Sequence, residues 1–126
     1  MRPFALPVVT LICSLLFTGA AAAEACQQIR AGLDIGSGST KIAVARVDVC
    51  QHRIEKMLYQ DQRAVPYNDA LSAASDNRLS PAIIHQGEVA LRQLVNNAQR
   101  YHPQRISGVA TAVFRRPSNG PAVVAA

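Results

Sequence analysis

Hydrophobic and polar positions alternate with different periods along the chain, and the periods predict an ordered set of elements. Residues 31–36, Ala-Gly-Leu-Asp-Ile-Gly, are a short apolar run closed by glycine, as in a buried strand. Ser37-Gly38-Ser39 is turn chemistry, and residues 40–47 are β-branched and apolar, predicting a second strand. The chain turns over residues 48–51, and residues 53–59 read as a third strand of mixed polarity. Three strands joined by short turns predict an antiparallel meander. Residues 60–77 are polar, hold Pro66 and Asn68-Asp69, and predict an irregular surface connection. Ser80-Pro81 then offers an N-cap and a first-turn proline. Ile83, Ile84, Gly87, Ala90, Leu91, Leu94, Val95 and Ala98 recur at three and four, predicting a helix with one apolar face that stops near Tyr101, since Pro103 restricts its predecessor. Residues 106–114 are apolar again, and a strand reached through a helix returns parallel to its sheet. Residues 115–120 open a turn or a new helix. The predicted order is β-β-β-α-β, an α/β half-domain of an antiparallel meander plus a parallel crossover strand.

Residues 1–23 stand apart. They carry one charge, Arg2, and no acid; an apolar stretch from Phe4 to Phe17 runs into Thr18-Gly19 and four alanines. This predicts a secretory signal peptide cleaved after Ala23, an exported, periplasmic protein of residues 24–126, and no stable membrane span afterwards. The alternative is an uncleaved anchor, since residues 4–23 reach bare spanning length, although Pro7 and the alanines weaken that stretch.

Composition narrows the function. At 49% hydrophobic and 17% charged residues the chain is too apolar for disorder, and three cysteines are too few for a disulfide-dense scaffold. His52, His85 and His102 lack metal-ligand spacing and no Cys-x-x-Cys occurs, so no zinc site is expected. The net charge of +5 comes from basic residues scattered in runs of two at most. Nucleic-acid surfaces cluster their cations among aromatics, so nucleic acid is not an expected partner; a mild positive field suits an anionic small molecule or polyanion.

The most informative segment is Asp34-Ile-Gly-Ser-Gly-Ser-Thr-Lys41. It sets a carboxylate near a strand end, then a Gly/Ser turn, then another strand. Glycine lets backbone N–H groups approach an anion, successive turn amides form an anion nest, and the carboxylate can hold Mg²⁺ or orient a water. The plain reading is a Gly-rich hairpin turn whose aspartate satisfies local amides.

This segment resembles the first phosphate loop of the actin, sugar-kinase and heat-shock ATPase superfamily, and most closely that of the exopolyphosphatase and guanosine pentaphosphate phosphohydrolase (Ppx/GppA) family. Val44-Ala45-Arg46 continues the likeness along the second strand, and Leu79-Ser80 matches the family's helix start. A second motif, Thr111-x-x-x-Arg115-x-x-x-Asn119 after Val109-Ala110, lies in the right order downstream. The resemblance spans roughly residues 30–120, with departures at Gly38, where many members have Asn, and at Pro117 near the next helix. It implies a ribonuclease H-like fold, a phosphate loop of Asp34, Gly36, Ser37, Gly38 and Ser39, a phosphate-contacting Arg115, supporting roles for Thr111 and Asn119, and Mg²⁺ held at Asp34. The implied activity is hydrolysis of terminal phosphoanhydrides of polyphosphate or guanosine polyphosphates, with export favouring polyphosphate. The family's catalytic glutamate and second Gly-rich loop follow later than Ala126, and Glu55 and Glu88 are no substitutes. This chain alone is therefore expected to be a truncated N-terminal portion, inactive and without a catalytic residue of its own. The rivals are a non-catalytic anion-binding pseudoenzyme and an ATP-using kinase of the same superfamily. Lys41 matches no catalytic position and is expected on a sheet face or edge.

A disulfide joins the expectations on register grounds. If the first hairpin turns about Gly38, with Gly36 facing Thr40, Cys26 faces Cys50 within bonding reach. An oxidising compartment would close the bond, and Cys13 leaves with the signal.

Overall fold

A computed structural model describes residues 25–125; the segment expected to be a signal peptide lies outside the described residues. Strands β1 (Gln27–Ile35), β2 (Ser39–Asp48) and β3 (Arg53–Ala64) are followed by helices α1 (Tyr67–Ala73) and α2 (Pro81–Gln99), strand β4 (Arg105–Ala110), a 3₁₀ turn (Ala112–Phe114) and the short helix α3 (Gly120–Ala125). The sheet order is β3-β2-β1-β4, antiparallel except where β4 runs parallel to β1. The meander and the crossover strand are thus as expected, and no described helix is long and apolar enough to cross a membrane.

Helix α2 starts where its signals lie. Ser80 Oγ accepts from the Ile83 N–H at 3.4 Å, and Pro81 occupies the first turn. Its apolar stripe buries Ile83, Gly87, Ala90, Leu94 and Ala98 against one sheet face. Two clusters make up the core. One packs Leu94 and Ala98 onto Ala31, Ile42 and Val44. The other joins Ile83 and Ala90 to Val65, Tyr67, Leu71, Leu79, Val113 and Phe114.

The structure departs from the expected elements in three places. β3 does not end at residue 59 but continues to Ala64. Its second half alternates half-buried Tyr59, Asp61 and Arg63 with exposed Gln60, Gln62 and Ala64, so the strand period is carried by polar residues. The polar groups satisfy one another: the Tyr59 hydroxyl donates to Asp61 at 2.9 Å and the Arg63 guanidinium donates to the same carboxylate. Tyr59 also stacks on Tyr101, ring centres 5.2 Å apart. Second, the connection expected to be irregular contains α1, which buries Tyr67 and Leu71. Third, the apolar run 106–114 is not one strand. Val113 and Phe114 are both buried, which alternation along a strand forbids, and the 3₁₀ turn swings them into the core. As expected, residues 115–120 turn and open a new helix, α3; Pro117 lies ahead of it, and its carbonyl accepts from Gly120 N–H at 3.1 Å. Gly120 is required there, because a Cβ would sit 2.0 Å from the Phe114 carbonyl oxygen.

The Cys26–Cys50 bond is present, with Cα atoms 5.4 Å apart, but the register that was to produce it is shifted by one. Ile35 faces Thr40 and Gln27 faces Asp48, so Cys26 lies opposite Val49, whose N–H donates to its carbonyl at 2.8 Å. Cys50 sits one residue further on, in the turn. Asp48 makes this possible. Its Oδ1 accepts from the N–H groups of Cys50 at 3.0 Å and Gln51 at 2.9 Å, and His52 takes a left-handed φ of 53°. The turn curls back and delivers Cys50 to Cys26.

Candidate functional site

Because β1 and β4 are parallel neighbours, their carboxyl ends lie side by side, the place where open α/β sheets present ligands. Gly36 follows one strand and Thr111 the other, and the Thr111 N–H donates to the Ile35 carbonyl at 3.1 Å. The two motifs, 75 residues apart in sequence, therefore begin next to one another.

The loop itself is held by its carbonyls. Gly36 N–H donates to Ser39 O at 2.9 Å, Ser37 O accepts from Asn68 N–H at 2.9 Å, and Gly38 O accepts from Val65 N–H at 3.1 Å. The N–H groups of Ser37 and Gly38 make no hydrogen bond among the described residues, and both residues are exposed. Two successive amides thus face outward from a loop whose opposite side is fixed, the arrangement an anion nest requires. Gly36 is tight, since a Cβ would approach Ser39 O to 3.1 Å; above Gly38 the space is open, so a larger residue fits there equally well.

Asp34 lies on the sheet face away from α2. It faces Lys41 on β2 and Val109 on β4, in a depression of about 640 Å³ lined by Gly32, Asp34, Lys41, Ala43, Gln60 and Gln62. Its carboxylate makes no hydrogen bond or ion pair among the described residues, and Lys41 is exposed on the same face. A hard cation that keeps most of its waters needs only one or two protein carboxylates, so Asp34 fits the Mg²⁺ that the resemblance implied. Asp61 behaves differently: the Arg63 guanidinium, then the Tyr59 hydroxyl, hold its carboxyl below the usual carboxylate range.

Of the second motif, Arg115 ends the 3₁₀ turn, exposed, with no side-chain partner among the described residues. Thr111 is half-buried, and its side chain does not cap that turn. Asn119 turns inward. Its Oδ1 accepts from Leu79 N–H and its Nδ2 donates to Leu79 O, both at 2.9 Å. It clamps the backbone just ahead of the Ser80 cap, so the Leu79-Ser80 and Asn119 features form one unit.

Two arginines had no assigned role. Arg116 donates to Asn68 Oδ1 at 3.4 Å, on the residue whose N–H holds the Ser37 carbonyl, and Arg78 reaches Ser118 Oγ at 3.5 Å. Further bonds from Asn77 Nδ2 to Arg116 O and from Ser118 N–H to Asn77 O, each 3.1 Å, lace the two segments together. These bonds tie the segments that carry Arg78, Arg115 and Arg116 to each other and, through Asn68, to the loop. Only the Arg115-Arg116 pair hinted at this in the sequence; Arg78 is brought in by the fold. Two of the three histidines serve the backbone: besides His52, His102 takes a φ of 51° just after α2, while His85 lies within that helix.

No family model matches the sequence, and no curated protein matches it. Solved structures match the fold. A crystal structure of the Aquifex aeolicus member of the Ppx/GppA protein family superposes with a TM-score of 0.67 at 19% identity, covering 79% of this chain and 31% of that one. An exopolyphosphatase from Cytophaga hutchinsonii gives 0.64 at 13% identity, covering 78% and 30%. An exopolyphosphatase-like protein gives 0.65 at 20%, covering 78% and 28%. The chain therefore has the fold of Ppx/GppA proteins over a span of about a third of their length.

Proposed function

We propose that this chain is the N-terminal portion of an exported Ppx/GppA-type phosphatase, and that its loop end binds the terminal phosphates of polyphosphate. One observation carries the reading: the loop with the free amides of Ser37 and Gly38 and the segment that carries the unpartnered Arg115 leave the adjacent carboxyl ends of two parallel strands. Backbone amides give a phosphate oxygen fixed donors, and a guanidinium meets two oxygens at once. Arg78 and Arg116 add positive potential.

Asp34 would hold Mg²⁺, which when bound would neutralise phosphate charge. The chain's own residues then have two tasks. The loop amides orient the terminal phosphate, and Arg115 draws the next oxygen pair toward the strand ends. Phosphoryl transfer needs charge stabilisation from several sides of the phosphate, and residues 25–125 supply one loop and one arginine cluster. The chain by itself is thus a binder, with hydrolysis belonging to the longer protein. Export rests on the charge and apolar pattern of residues 1–23.

Arg115→Ala tests the reading. A charge-assisted contact contributes about 1.5–3 kcal/mol, so polyphosphate affinity, read by titration calorimetry with Mg²⁺ present, should fall about tenfold or more. The melting temperature should hardly move, because the side chain is exposed. Unchanged affinity removes Arg115 from the site. Steady phosphate release by the chain alone, abolished in Asp34→Ala, would show that it holds a complete site.

A further inference from the structure

Beneath the loop end, on the face of the sheet that α2 covers, lies a second cavity of about 610 Å³. Its apolar walls are Ile35 from β1, Ile84 and Leu91 from α2, Phe114 from the 3₁₀ turn and Val123 from α3. This volume lies within the range of small-molecule sites.

Two hydroxyls line it. Thr40 is 1% exposed, and its Oγ1 is the one buried side-chain polar atom without a hydrogen bond among the described residues. Tyr67 is 4% exposed, and its hydroxyl lies close enough to Thr40 for the two side chains to interact. Buried hydroxyls are normally paired, because an unpaired one forfeits its hydration for nothing.

The placement of Tyr67 is built into α2. A Cβ at Gly87 would sit 1.8 Å from the Tyr67 oxygen. Glycine is a poor residue for a helix interior; here it lets the phenol lie against the helix with its hydroxyl at the cavity. Among the described residues, the charged ones lining the cavity, Glu88 and Arg92, pair with each other at 3.4 Å. No unpaired charge faces the interior, so a charged ligand would be buried without compensation. Burial, chiefly, raises the Tyr67 pKa and keeps the phenol a neutral donor.

We infer that this cavity binds a small neutral molecule with a compact apolar body and one acceptor oxygen, which takes hydrogen bonds from Thr40 Oγ1 and Tyr67 OH. The inference is independent of the phosphatase reading, since neither donor hydroxyl is assigned to phosphate and Asn119, which also lines the cavity, spends its amide on the Leu79 backbone.

The test is a nuclear magnetic resonance titration of the purified chain with two probes of one skeleton, acetophenone and ethylbenzene. Acetophenone should shift the methyl signals of Ile35, Ile84, Leu91 and Val123. Thr40→Val, which keeps the shape and deletes the hydroxyl, should weaken acetophenone about fivefold or more, the loss of one hydrogen bond, and leave ethylbenzene unchanged. Tyr67→Phe should do the same and serves if Thr40→Val fails to fold. Absence of cavity shifts, or equal binding of both probes that neither variant alters, overturns the inference.

Discussion

The two core clusters are built in different ways. The cluster around Leu94, Ala98, Ala31, Ile42 and Val44 is a regular layer: one helix stripe on one sheet face, each side chain placed by its element's period. The cluster around Val65, Tyr67, Leu71, Leu79, Val113 and Phe114 is assembled largely from connections, and Tyr67 meets Phe114 edge-on with ring centres 4.8 Å apart. The first cluster is built on the two strands whose ends the Cys26–Cys50 bond joins. The second is next to the phosphate-loop candidate, is held by backbone and amide hydrogen bonds, and contains the cavity. A vacancy in the regular layer lowers stability directly, whereas the connection-built cluster combines packing with space and exposed donors. Binding groups gather where the backbone leaves its regular elements.

Breaking the regular layer should have the largest effect. Leu94 is wholly buried, so Leu94→Ala should cost about 2–5 kcal/mol in urea unfolding. Reducing the disulfide should cost roughly 3 kcal/mol, because Cys26 and Cys50 close a loop of sequence separation 24 in the unfolded chain. Polyphosphate binding should survive reduction at temperatures where the chain stays folded, since the bond is remote from the loop. If affinity falls in parallel with stability, the two ends are not independent.

On the other side of the comparison, Asn119→Ala leaves both polar groups of the Leu79 backbone unpaired. It should cost about 2 kcal/mol, two hydrogen bonds at ordinary net value, and unlike reduction it should also weaken polyphosphate binding by loosening the segment that carries Arg115. Asn119→Asp, which keeps one acceptor and loses the donor, should fall between.

The smallest effect is one of pH. The folded-state pKa of Tyr67 is raised, mainly by burial, with the Glu88 charge adding to it and Thr40 opposing it. The unfolded chain therefore ionises this phenol first as pH rises past the ordinary phenol value of 10.0. The stabilisation is complete below that pH and is lost as pH climbs through the folded-state value. Unfolding free energies followed upward from neutral pH should decline above pH 10 more steeply than in Tyr67→Phe. Identical slopes would show that another group governs the alkaline limb.

The regular layer and its site-bearing strand ends are legible in the sequence because side-chain period reports burial there. The start of α2 follows from Ser80-Pro81, and the loop from Asp34 to Ser39. The second cluster is hidden for physical reasons. The end of β3 alternates Tyr59, Asp61 and Arg63 with glutamines, and polar pairs replace the apolar signal. Val113-Phe114 reads as strand because both residues are apolar, yet both point inward only when the backbone turns. The one-residue register error at Cys26 arises because Asp48 and His52 reshape a turn whose sequence shows no glycine. Asn119 is recognisable as a motif residue, but its partner is main chain forty positions away, which no side-chain pattern reveals.

That clamp also sets an order of events. Leu79 precedes Asn119 by forty residues, so the backbone groups ahead of α2 find their partner only after β4 has docked and the chain has turned past Pro117. Long-range closures of this kind come late, because loop entropy must be overcome before the contact forms. Removing the Asn119 amide should accordingly accelerate unfolding and leave the refolding rate almost unchanged, a φ-value near zero. Helix and meander would form first, and the end that carries the phosphate-loop candidate would be the last to close and the first to open.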